Sequence, residues 1–188
     1  MALDRALEVF WRQGYEGTAI SDLTKAMGIS NAPSLYNAFG NKEQLFVKVL
    51  DRYADGPARY IREAFEQPTA RGTVESLLHG AADATTDPDH PRGCLTVQGG
   101  LACSSQAEPA RDELTARRAA GEAALRERLQ RARADGEIPE ESDADGLALY
   151  FTTIYQGLAV QASGGATREQ LHAIVNMAMA VWPQRPAG

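Results

Sequence analysis

Apolar residues in the first quarter of the chain recur at helical spacing and are punctuated by Gly, Asn and Pro. Leu3, Ala6, Leu7, Phe10 and Trp11 fall on one stripe and predict a helix from Ala2 to Gln13, ended by Gly14. A second short helix begins at Thr18 or the residue after it, packs through Ile20, Leu23, Thr24 and Met27, and ends at Gly28. Ile29 then plugs the core. Ser30 and Asn31 offer N-caps for a third helix, Pro33 suits its first turn, and Leu35, Tyr36 and Phe39 give its apolar contacts. Phe10, Ile20, Leu23, Ile29, Leu35 and Phe39 are expected to close into one small core.

The pattern stays helical beyond this point. Asn41 caps a fourth helix carrying Leu45, Phe46, Val49, Leu50 and Tyr53, with Glu43 and Gln44 in its first turn; Gly56-Pro57 predicts a break before Ala58 to Phe65. Thr73 to Ala84 reads as the next helix, and the TTDPDHPRG stretch as a surface loop. Residues 94–103 are apolar but interrupted by Gly99-Gly100; they read as a short buried helix whose glycines allow close backbone approach, with a strand as the alternative. Pro109 opens a long, charged helix reaching Ala134 and ended by Asp135-Gly136. Ser142 then caps a helix to about Ala162, and Thr167 caps a last one to Trp182. These two terminal helices are apolar around much of their circumference, so they are expected to be buried on several sides, in the centre of the body and against a second subunit. The fold class is therefore all-α, with a helix-turn-helix domain over residues 1–52 and a helical body over 53–188.

Composition adjusts this picture in two ways. The 188 residues carry a net charge of −6, yet residues 1–52 hold six Lys/Arg and six Asp/Glu, so the whole excess of acid lies in the body. A polyanionic partner would meet only the N-terminal end, with the acidic remainder helping to orient it. There is no apolar run of membrane-spanning length and no secretory signal pattern, which makes a cytoplasmic protein without membrane attachment the expectation. Cys94 and Cys103 read as small core residues, and His79, His90 and His172 lack metal-ligand spacing with them, so neither a metal nor a cofactor is assigned. The sequence opens almost inside its first helix, so a basic arm preceding that helix is not part of it.

Two short helices joined by a short turn allow one to rest across a DNA duplex while the other enters the major groove. The residues in that arrangement also support a named comparison. Gly14-Tyr15 with Thr18, the Ile20 to Gly28 helix, and Ser34-Leu35-Tyr36 followed by Phe39 and Lys42 resemble the DNA-binding signature of the TetR family of bacterial transcriptional regulators. From Gly28 to Tyr36 there is one residue more than in the common family spacing. The resemblance implies a homodimer packed through its last two helices, bound to a palindromic DNA operator and usually repressing nearby genes. It also implies a cavity in the body where a small effector, expected to be hydrophobic or aromatic, shifts the two readers out of register with successive major grooves.

Carried onto this chain, the resemblance assigns Tyr36 to a phosphate hydrogen bond. Lys42 would add a cation beside the unpaired N–H groups of the helix it opens. Ser30, Asn31, Ser34 and Asn37 are the polar candidates for base edges, since Asn pairs bidentately with adenine and Ser bonds several edges, although Ser30 and Asn31 serve equally as local caps. Lys25 and Thr18 are placed near the flanking DNA backbone. For the cavity the expected lining is Leu101, Phe151, Tyr155 and Met177, with Tyr155 or Gln156 as polar handle and Cys103 as a ligand contact or sensing thiol; ordinary core packing explains each apolar one as well. The competing readings are a helical protein-interaction module that does not read DNA and, more remotely, an enzyme, for which no P-loop, nucleophile elbow or zinc-protease motif is present.

Overall fold

The computed structural model describes residues 1–99 and 107–184. Ten helices are assigned within them: α1 (Ala2–Gly17), α2 (Ile20–Met27), α3 (Ala32–Phe39), α4 (Lys42–Asp55), α5 (Arg59–Phe65), α6 (Ala70–Thr85), α7 (Leu95–Gln98), α8 (Glu108–Ala134), α9 (Ala144–Ser163) and α10 (Arg168–Met179). Leu101 and Cys103 lie outside the described residues. The all-α expectation holds.

Gly14 kinks the first helix rather than ending it. Its φ of 70° and ψ of 174° are non-helical, and α1 resumes for one further turn to Gly17. Gly28 takes the left-handed conformation (φ 71°, ψ 30°) as C-cap of α2, after which Ile29 N–H returns to the Thr24 carbonyl at 2.9 Å. Of the six residues expected in the small core, Phe10, Leu23 and Leu35 are fully buried, while Ile20, Ile29 and Phe39 are partly buried against the same cluster. That cluster reaches beyond the first four helices and takes in Ala58, Cys94, Leu95, Val97, Ala110, Leu114 and Ala159. The boundary drawn at 52/53 from the sequence thus falls inside α4 and inside a shared core.

A second core joins α6, α8, α9 and α10 around Leu78, Leu125, Leu129, Phe151, Leu158, Leu171 and Val175. Three helix ends differ from the sequence reading. Helix α6 starts at Ala70, a turn earlier than Thr73, because Thr69 Oγ1 accepts from Gly72 N–H at 3.0 Å and the Glu137 carboxylate accepts from Ala70 N–H at 2.6 Å. Asp143 rather than Ser142 caps α9, accepting from Gly146 N–H at 2.9 Å. Thr167 caps α10 as expected, but the helix ends at Met179, before Trp182, which folds back into the core. Helix α7 is the short buried helix anticipated. A Cβ at Gly99 would lie 2.8 Å from the Leu95 carbonyl, so this backbone is packed too closely for a side chain.

Glu137 joins three elements. It pairs with Arg128 of α8 at 2.8 Å and holds the first turn of α6 through Ala70, and these hydrogen bonds keep its carboxyl below its ordinary value of 4.5. A carboxylate with a depressed folded-state pKa stabilises fully above its unfolded value, and that stabilisation fades as pH falls through the folded value. The stability difference between wild type and Glu137→Gln is therefore expected to be constant from neutrality down to about pH 4.5 and to shrink below it. Chemical denaturation across that range checks this; a difference unchanged at the acid end would refute it.

Candidate nucleic-acid interface and interior cavity

The short α3 is held with one face outward by its own chemistry. Asn31 Oδ1 accepts from Ser34 N–H at 2.9 Å, closing the N-terminus, and Leu35 anchors the opposite face with no exposure. Ser34 and Asn37, three residues apart, share the solvent-facing side, and Tyr36 is 43 % exposed beside them. Ser30 and Asn31 are also exposed, and the Asn31 amide donates to Ser30 Oγ at 3.4 Å. Because the Asn31 oxygen caps α3, only its amide nitrogen remains as a donor toward another molecule, which is not the bidentate arrangement that adenine requires. Lys25 is exposed on α2.

One assignment changes, and a second residue is more enclosed than its sequence suggests. Thr18 is 1 % exposed, and its hydroxyl donates to the Gly14 carbonyl at 2.6 Å, so it secures the kink of α1 rather than facing a phosphate backbone. Lys42 is half-buried, with Nζ 4.5 Å from the centroid of the Tyr15 ring, and burial pulls its ammonium pKa down while Glu16 opposes that. It lies at the N-terminus of α4, where Asn41 Oδ1 accepts from Gln44 N–H at 2.8 Å and Gln44 Oε1 accepts from Asn41 N–H at 3.2 Å. The partner Tyr15, stacked against Phe10 and tilted against Phe46, was not singled out from the sequence, where it reads only as one member of a motif.

Helices α4 to α9 line a partly open cavity of about 270 Å³. Tyr155 and Gln156 are among the residues that line it. Phe151 does not: it is fully buried in the core between Tyr150 and Trp182, one helical turn from Tyr155 and turned into the packing between helices. Nor does Met177, which is 70 % exposed on the outer side of α10. Sequence reading also missed the residues that α4, α5 and α8 bring to the wall, among them Leu50, Tyr53, Phe65 and Arg118; these read as plain amphipathic positions until the helices are placed together.

A polar seam runs along one side of this cavity. Tyr53 donates to Cys94 Sγ at 3.2 Å, Cys94 lies 3.0 Å from Thr96 Oγ1, and the hydroxyls of Tyr60 and Tyr155 share a hydrogen bond of 3.1 Å. Burial is the main cause that pushes all three tyrosines above the ordinary phenol value, so they remain protonated donors. Cys94, 1 % exposed, is a core residue, as expected. Elsewhere, His79 and His172 face each other through their Nδ1 atoms at 2.7 Å, and His172 Nε2 donates to Asp83 at 3.0 Å, linking α6 to α10. Among the described residues no group of three or more His, Cys, Asp or Glu is placed to hold a metal ion, and no helix is long and apolar enough to cross a membrane.

Comparison with known proteins converges on one family. Residues 2–49 match the model of bacterial regulatory proteins of the tetR family, and residues 70–178 match the tetracyclin repressor-like C-terminal domain. The chain is 35 % identical over 185 residues to the HTH-type transcriptional repressor ComR of Escherichia coli strain K12, covering 97 % of this chain and 88 % of that protein. A solved structure of the TetR family regulator CifR, a cysteine-substituted form complexed with 26 bp double-strand operator DNA, superposes with a TM-score of 0.91 at 42 % identity, covering 97 % of this chain and 95 % of that one. A TetR regulator from Rhodococcus sp. RHA1 is 45 % identical over 98 % of each chain, with a TM-score of 0.67. On the strength of its matched sequence and its all-helical architecture, this chain belongs to the TetR family of bacterial transcriptional regulators.

Proposed function

We propose that the protein is a dimeric, effector-responsive transcriptional repressor that reads a palindromic operator with α3 and releases it when a small apolar molecule occupies the cavity between α4 and α9. The observation that carries this reading is the capped, outward face of α3, which presents Ser34, Tyr36 and Asn37 from a fully buried Leu35 anchor. The 42 % identical CifR, whose structure holds operator DNA, supports the same use of that face here. In this reading Ser34 and Asn37 meet base edges, Tyr36, Lys25 and Lys42 meet phosphates, and Ser30 and Asn31 chiefly shape the turn. The domain that recognises DNA spans residues 1–52, and residues 53–188 bind the effector and dimerise.

The dimer forms through the outer faces of α9 and α10. Leu149, Thr153, Gly157 and Val160 make one exposed stripe on α9, and Met177 and Val181 lie exposed on and just beyond α10. Placed on a two-fold axis, such a pair of helices holds two readers at the one-turn spacing, about 34–36 Å, or a multiple of it. Family membership sets aside the enzyme alternative.

Selection of bound duplexes from a random DNA pool, with the protein at stated salt, tests the reading. A reproducible inverted repeat is the expected product; no enrichment by a folded dimer would overturn it in favour of the protein-interaction module. On the selected site, Tyr36→Phe is expected to weaken binding by a similar factor across sequence variants, whereas Asn37→Ala relaxes preference at particular positions. Unchanged affinity and unchanged salt slope for Tyr36→Phe would remove the phosphate assignment.

A further inference from the structure

The charges that line the cavity are not equally compensated. Arg117 is held by Asp51 and Glu113, each at 2.7 Å, and Glu122 is paired with Arg126. Arg118 differs. Its Nη1 donates to the Thr96 carbonyl at 2.6 Å and its Nη2 to Thr115 Oγ1 at 3.0 Å, both neutral acceptors, and no carboxylate among the described residues forms an ion pair with it. A guanidinium that is partly withdrawn from water, against a largely apolar wall, gains most from an anion that fits its fork of donors.

The tyrosine pair adds to the same surplus of donors. Tyr60 and Tyr155 each carry one O–H, and the single hydrogen bond between them uses one of the two protons. Either hydroxyl can be the donor; where Tyr60 donates, the Tyr155 proton is left for the cavity that Tyr155 lines. Glu122, the carboxylate on this wall, is taken up by Arg126, so Arg118 is left without an anionic partner among the described residues. The same lining includes the apolar side chains of Phe65, Leu77 and Leu125. From Arg118 to Leu125 the rise along α8 is about 10 Å, which sets the length a ligand needs to span charge and apolar end together.

We propose that the effector is a small monocarboxylate whose headgroup pairs with Arg118 and whose apolar chain or ring extends toward Phe65, Leu77 and Leu125. The proposal rests on the effector-cavity reading above and adds the charge and polarity of the ligand to it. A single uncompensated guanidinium balances one negative charge; a phosphate dianion would bring a second into an apolar cavity with nothing to offset it. A neutral alcohol would fill the same apolar volume and leave Arg118 as it is.

The test is calorimetric titration of the full-length dimer with octanoate and with 1-octanol, matched in chain length, alongside operator release by each. Octanoate is expected to bind at one site per chain about tenfold or more tighter than 1-octanol, with the preference narrowing as salt is raised. Arg118→Gln is expected to abolish the preference while leaving 1-octanol binding at the wild-type value, which shows the cavity still formed; Arg118→Lys should restore part of it. Equal wild-type affinities, or tighter binding of 1-octanol, would overturn the carboxylate assignment while leaving the cavity reading standing. If neither probe binds nor releases operator, the cavity reading fails and the proposal falls with it. The comparison of the two probes on wild-type protein decides the matter even where a variant does not fold.

Discussion

Leu149→Asp combined with Met177→Asp is expected to give a folded monomer that has lost its operator affinity by about a hundredfold or more. Leu149 and Met177 are 57 % and 70 % exposed in the single chain, and Val160 and Val181 beside them are 45 % and 52 % exposed. Four large apolar side chains uncovered on two successive elements are more than a lone subunit gains from leaving in water, and a second copy would cover them. Two carboxylates buried there without partners oppose association strongly, while their cost to the isolated fold stays within about 0.5 kcal/mol because both positions face solvent. The operator effect follows from bivalency: once each reader binds separately, the gain from tethering, about a hundredfold to ten-thousandfold, disappears. Sedimentation velocity and operator titration on the same preparation check it. A variant that still sediments as a dimer would refute this interface.

Phe46→Ala is expected to destabilise the protein by about 3–5 kcal/mol, the usual cost of emptying a buried aromatic site. Phe46 is fully buried on α4, meets Phe10 edge-on at 5.0 Å and packs against Tyr15 at 5.0 Å. Its loss leaves a void between the first helix and the helix that continues into the body, so neighbours cannot collapse onto it without moving α1. Urea denaturation at fixed protein concentration gives the measurement, and the thermal midpoint should fall by on the order of 10 °C. A loss below about 1 kcal/mol would mean that the site relaxes, contrary to the packing described. Operator affinity should fall as well, since Tyr15 carries Lys42 across its face.

The first four helices were legible in the sequence because several local signals agree there. Periodic apolar positions, a left-handed glycine at 28 and capping asparagines at 31 and 41 all specify the same boundaries. The start of α6 was not legible, since Gly72 interrupts the helix-favouring Ala70-Arg71 pair, and the turn is held where Glu137, sixty-seven residues away, accepts its first N–H. The cavity was legible only in part. Tyr155 and Phe151 lie four residues apart on α9 and both face inward, yet one lines the cavity and the other fills the core. Periodicity tells which side of a helix is buried; which neighbouring helix stands off and leaves a space depends on residues such as Tyr60 and Arg118 that arrive from elsewhere in the chain. Thr18 shows the reverse error, a polar residue between α1 and α2 whose hydroxyl is taken by the Gly14 carbonyl of α1.

The core around Phe10 and Phe46 also draws in Leu95, Val97, Ala110 and Leu114 from α7 and α8. The first four helices are thus not a transplantable module. A chimera that grafts residues 1–52 onto the body of another regulator would set the lower half of α4 against foreign counterparts of α7 and α8, and its reader would sit at an angle dictated by the recipient. Operator specificity and effector response in this protein are inherited as one piece, so a change of either by recombination requires that the seam between α4, α7 and α8 travel with the graft.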